Sequence, residues 1–202
     1  MDLLGFALAV LLIELTPGPN MGWLVALTLS EGKRAGLAAI TGIAAGLASN
    51  AVLSVLAASF ILQQSDVLAQ GISVLGAAMM AYLAWQAWRT AGDSSPDTMP
   101  YSAARQHALA GFTINLLNPK ATLFFVTVMP QFVPGGRPTY TEGLTMAAIS
   151  VAIATTVHLA LILGADRIRP VLLDSGRAQV VRRVLALVML GVGVWFLAKA
   201  FL

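Results

Sequence analysis

Apolar residues fall into six runs separated by short polar interruptions. The first extends from about Leu3 to Leu29, the second covers Ala35–Leu62 without a charge, and the third covers Val67–Trp88. After a polar stretch the pattern resumes over Ala108–Val133, Gly143–Ala165 and Val184–Leu202. A helix rises about 1.5 Å per residue, so runs of this length cross a hydrocarbon core about 30 Å thick. The pattern predicts an all-α integral membrane protein with six transmembrane helices, three in each half.

Two of the runs are broken at matching places. Leu15-Thr16-Pro17-Gly18-Pro19-Asn20 interrupts the first, and Asn115-Leu116-Leu117-Asn118-Pro119-Lys120 interrupts the fourth. Pro17 and Pro19 lack amide hydrogens, so the carbonyls of Ile13 and Leu15 lose their helical partners. Gly18 lets the backbone leave helical geometry cheaply. In lipid a freed polar group costs several kcal/mol, so broken backbone persists only inside protein or beside a polar cavity. Pro119 follows Pro17 by 102 positions in a chain of 202. Paired interruptions in corresponding halves point to the substrate site of a transporter. A further kink is expected at Pro130.

The stretch from Thr90 to His107, rich in Gly, Ser, Pro and Asp, divides the chain into a first repeat (1–90), a linker (91–107) and a second repeat (108–202). An odd number of spans per repeat gives the halves opposite orientations, the 3+3 inverted-repeat arrangement with helices 1 and 4 broken. Lys33, Arg34, Arg89, Arg105, Arg167, Arg169, Arg177, Arg182 and Arg183 fall on one side, Arg137 and Lys199 on the other, and Lys120 lies within a span. The excess of cations assigns the first side, linker included, to the cytoplasm and both termini to the outside. Asp166–Arg183 reads as a basic loop or, in part, a surface helix. Tyr82, Trp85 and Trp88, beside Arg89, form an interfacial aromatic belt. The spacing of Gly42 and Gly46 permits close approach of two helices.

Composition narrows the function. Charged residues make up 10% of the chain, against about 25% in soluble domains, and the mean hydropathy is +0.82. The absence of cysteine excludes disulfides, thiolate metal sites and dithiol redox chemistry. A nucleic-acid partner is excluded because the basic residues are confined to loops flanking apolar spans. The partners expected are membrane lipid and a small solute, and bundles of this kind can form homodimers. The N-terminus, with Asp2 and no Lys or Arg before the apolar run, does not resemble a cleaved signal peptide.

The candidate substrate-binding residues are Thr16, Pro17, Gly18, Pro19 and Asn20 at the first break and Asn118, Pro119 and Lys120 at the second, with Asn50 in helix 2 either lining the cavity or tying helices together. Helix N-termini suit a carboxylate and C-terminal carbonyls an ammonium; the asparagines supply donors and acceptors. Without those ligands the prolines would only kink packed helices. Glu14 is the one acid well inside a span, and an intramembrane carboxylate is expensive enough to suggest function. It lies one turn before the first break. Lys120 can pair with Glu14, attract a substrate carboxylate or reach a headgroup. His158, the only titratable group of helix 5, is either a proton carrier or a neutral packing residue. Glu14 and His158 are therefore the candidate proton-coupling groups. No nucleophile–base pair, phosphate loop or metal cluster is evident, so neither an enzyme, a cofactor nor a bound metal is expected. The competing readings are a metal or inorganic-ion exporter and a membrane-embedded enzyme on a similar frame.

The two breaks, the Gly42/Gly46 pair, Leu117-Asn118-Pro119-Lys120-Ala121, Phe124-Phe125 and Pro130-Gln131-Phe132 resemble the lysine exporter superfamily. Within it they resemble the homoserine/threonine/leucine resistance branch, over essentially the whole chain. The resemblance implies a bacterial plasma-membrane exporter of amino acids or similar metabolites, driven by protons. Some relatives have an acid in helix 2 just after the glycine pair, where this chain has Leu47, and an acid in helix 5 is also absent. Coupling here then rests on another residue.

Overall fold

In the computed structural model the chain is described over residues 1–15, 18–57, 101–136 and 138–173, with scattered positions between 74 and 89 and between 180 and 198. Thr16, Pro17, Arg137, residues 91–100 and most of the expected third and sixth spans lie outside the described residues.

The first apolar run forms α1 (Leu3–Leu15) and α2 (Pro19–Glu31), bent by 55° at the proline pair. Only Gly32 separates α2 from α3 (Lys33–Ala57). Its φ of 91° is cheap for glycine alone, and its N–H donates to the Thr28 carbonyl at 2.8 Å, closing α2. The fourth run forms α4 (Tyr101–Leu116) and α5 (Pro119–Leu123), bent by 53°. One π turn (Phe124–Val128) and a 3-10 turn (Met129–Phe132) follow, so the kink expected at Pro130 is spread over a change of helix type. A short 3-10 turn (Pro134–Gly136) leads to α6 (Tyr140–Leu173). Thr139 and Glu142 cap its start reciprocally. The Thr139 N–H donates to the Glu142 carboxylate at 2.8 Å, and the Glu142 N–H donates to the Thr139 hydroxyl at 3.3 Å.

The described residues hold two unbroken helical stretches long and apolar enough to cross a membrane, Lys33–Ser54 and Tyr140–Pro170, and up to four if each bent pair is one span. Leucines 4, 8, 11, 12 and 15 of α1 and Leu144, Leu159, Leu163 and Ile168 of α6 are exposed, as side chains meeting hydrocarbon would be.

α3 packs most extensively on α4, and glycine sets the distance. A Cβ on Gly42 would collide with the Ala108 carbonyl, one on Gly46 with that of Phe112, and one on Gly111 with that of Ala39. This is the close approach expected of Gly42 and Gly46. Two apolar cores result. One joins Trp23, Leu24 and Leu27 of α2 to Ile40 and Ile43 of α3, Ile114 of α4 and Ile162 of α6. The other joins Phe6 and Val10 of α1 to Leu47, Phe124, Phe125, Met129 and Met146. Each broken helix contributes one piece to each core, so the breaks fall between them. The buried polar residues Asn20, Asn50, Asn115, Asn118, Ser150 and His158 belong to the same level.

At one end of the bundle, polar and charged side chains join neighbouring helices. Glu31 meets His107 at 3.0 Å and Lys33 meets Asp166 at 3.8 Å, while Arg169 donates to the Leu29 carbonyl at 3.2 Å. Lys33, Arg34, Arg105, Arg167 and Arg169 therefore share one end. At the other, the Asp2 N–H donates to the Phe132 carbonyl at 2.9 Å, and Phe6 meets Phe132 edge-on. In the expected aromatic belt, the Arg89 guanidinium lies 4.9 Å over the Trp85 ring.

Candidate functional site

Both breaks open onto one cavity. Glu14 and Gly18 reach it from the first break, with Asn20 and Met21 of α2; Asn115, Asn118 and Lys120 reach it from the second; Ser150 and His158 come from α6. Val10, Ile13, Leu47, Ala121, Phe124 and Phe125 supply apolar walls. The cavity's free volume is about 30 Å³, room for about two waters.

The second break is fixed by side chains. Asn118, in extended conformation, is the N-cap of α5, and its Oδ1 accepts from the Lys120 N–H at 3.0 Å. Asn50 Nδ2 donates to the Leu116 carbonyl at 3.3 Å and to the Thr122 hydroxyl at 2.9 Å. Asn115 Nδ2 donates to the Ile43 carbonyl at 2.9 Å. Ser150 donates to the Met146 carbonyl within α6.

Across the cavity the charges meet. Lys120 Nζ donates to the Ile13 carbonyl at 2.5 Å, the acceptor left without a helical donor by Pro17. His158 Nε2 lies 3.8 Å from a Glu14 carboxylate oxygen. His158 is almost wholly buried and its Nδ1 has no partner among the described residues; the same holds for Oδ1 of Asn20 and of Asn115. Among the described residues no group of three or more His, Asp or Glu could hold a metal ion.

Of the residues expected from sequence, Glu14, Gly18, Asn20, Asn118, Lys120 and His158 are brought together. Asn50 is not among the lining residues; it braces the second break from behind. The described backbone places Pro19 and Pro119 at the first helical positions of α2 and α5, where a missing N–H costs no hydrogen bond. Sequence reasoning missed Asn115 and Ser150 as lining residues. Asn115 had a signal, since it lies three residues before Asn118 within the same interrupted motif. Ser150 had none.

The fold and the site are those of a multi-pass membrane protein with a buried polar cavity at two helix breaks. Its sequence matches the LysE type translocator family over residues 11–200, and the chain belongs to that family. It is 26% identical to the "Uncharacterized membrane protein YrhP" of Bacillus subtilis, covering 96% of this chain and 97% of that one. It is 25% identical to the "Homoserine/homoserine lactone efflux protein" of Salmonella typhimurium, covering 75% and 74%. With the "Leucine efflux protein" of Klebsiella pneumoniae it shares 24% identity, over 81% and 78%. No solved structure matches it.

Proposed function

We propose that this chain is a secondary exporter, not an enzyme, that moves a small amino acid or related metabolite out of the cytoplasm by proton antiport, with alternating access at the two broken helices. One observation carries the reading: a single cavity, reached by both breaks, gathers a carboxylate, an ammonium, an imidazole and three carboxamides. Such a set suits a zwitterion, and the efflux names of the Salmonella and Klebsiella relatives support the same solute class. The chain lies in a bacterial plasma membrane as six spans in a 3+3 inverted repeat, with both termini outside. Reporter fusions at residues 91–100 should read cytoplasm and fusions after Leu202 the exterior; a cytoplasmic C-terminus would overturn this topology.

Glu14 carries the coupled proton, with His158 beside it at 3.8 Å as the group that relays or shares it. One charge crossing the membrane gains about 2.3 kcal/mol per 100 mV, roughly a 50-fold concentration bias. A zwitterion has no net charge, so its exchange for one proton uses this potential as well as the pH difference.

The test is efflux of a panel of labelled amino acids from cells and vesicles, with and without a proton gradient. Glu14→Gln should abolish uphill movement yet spare substrate exchange, which needs no net proton flow. Uphill transport by that variant would remove Glu14 as the coupling group. If the wild type moves no amino acid, the exporter reading itself fails.

A further inference from the structure

The cavity presents an unusual concentration of hydrogen-bond acceptors. The Ile13 carbonyl lost its helical donor to Pro17, and it stands at the C-terminal end of α1, where the helix dipole is negative. Glu14 adds a carboxylate beside it. Asn20 and Asn115 line the same space, and their buried Oδ1 atoms accept from no described group. A buried acceptor without a donor costs about 1–3 kcal/mol, so a site that keeps two is built for a visitor that donates. Ammonium is the group that suits such a set, because it brings three donors and a positive charge.

One ammonium is already present. Lys120 Nζ reaches from the second break to the Ile13 carbonyl of the first. We infer that Lys120 is a tethered stand-in, occupying the substrate's ammonium subsite when the transporter is empty and yielding it to the arriving substrate. This rests on the cavity being the amino-acid site. Once displaced, the Lys120 ammonium remains in the same cavity, where the substrate carboxylate becomes its new partner. The exchange keeps the cavity's charge balanced and joins the two broken helices through the solute instead of through Lys120 directly. It also selects for a molecule carrying both charges: an amine alone must displace Lys120 and brings no carboxylate to meet it.

The test is binding to the purified full-length protein, using three probes of one carbon skeleton: L-leucine, isopentylamine (no carboxylate) and 4-methylpentanoate (no amine). Wild type should bind leucine best and isopentylamine poorly. Lys120→Met vacates the subsite, so isopentylamine should bind at least about tenfold more tightly, while leucine and 4-methylpentanoate weaken. A purely structural Lys120 would weaken all three together. Lys120→Arg should keep the wild-type order. Asn20→Asp supplies a second carboxylate for the visiting cation, and it should tighten isopentylamine with Lys120 in place, so the idea stays testable if Lys120→Met does not fold. Leucine binding to wild type, with isopentylamine no tighter in either Lys120→Met or Asn20→Asp, overturns the stand-in alone. A wild type that binds none of the three overturns the amino-acid site and the stand-in with it.

Discussion

The two helix breaks use the same proline chemistry and finish differently. At the second, nearly every group that the interruption frees is given a partner within the protein. Asn118 caps α5, its own carbonyl accepts from the amides of Ala121 and Thr122, and Asn50 covers the Leu116 carbonyl. At the first, α2 begins at Gly18 with no side-chain cap, Asn20 Oδ1 has no described partner, and the Ile13 carbonyl is met from across the cavity. A break that satisfies itself is a rigid platform. Among its described residues the first break keeps an acceptor open, and such a group is one a solute can reward. On the exporter reading, the second half presents and the first half responds.

The largest effect should come from unstitching the second half. Asn50→Leu removes the donor to the half-buried Leu116 carbonyl and a partner of the Thr122 hydroxyl, which keeps the Asn118 carbonyl as its acceptor. The loss should be about 1.5–2 kcal/mol, the upper end for hydrogen bonds between membrane helices. Thermal unfolding in detergent checks it. Stability equal to wild type would mean that the second break does not depend on its brace.

The same contrast decides what the sequence made legible. Both breaks could be placed from Pro17, Pro19 and Pro119, because a missing N–H acts whatever surrounds it. Gly42 and Gly46 were legible for a similar reason: only glycine lets two backbones meet that closely. Helix ends were not. α6 continues past Ala165 to Leu173, through residues that looked like loop or surface helix, because Asp166 finds Lys33 and Arg169 finds the Leu29 carbonyl. α4 likewise starts at Tyr101, inside the stretch read as linker, and His107 there meets Glu31. Each partner is distant in sequence, so charge alone suggested solvent. At the site, which residues converge followed from the breaks, but the division of labour did not. Asn50 as brace, Asn118 as cap and Lys120 as bridge depend on distances that spacing does not contain.

The smallest stability changes should separate the two breaks most cleanly. Asn118→Ala removes a helix cap and should cost about 1 kcal/mol, and Asn118→Ser, a good cap that brings no charge, should restore most of it. Asn20→Ala removes an Oδ1 that has no described partner and leaves room that water can enter. Its stability should match or exceed that of wild type, because a buried acceptor without a donor is removed, while export falls because the open break has lost an acceptor for the solute. Both variants should reach the membrane at normal abundance. Unfolding curves and efflux rates measured on the same preparations tell the two roles apart. If Asn20→Ala unfolds as early as Asn118→Ala, the first break is as structural as the second. If Asn20→Ala and Asn118→Ala both export at the wild-type rate, the breaks are packing kinks and the solute binds elsewhere.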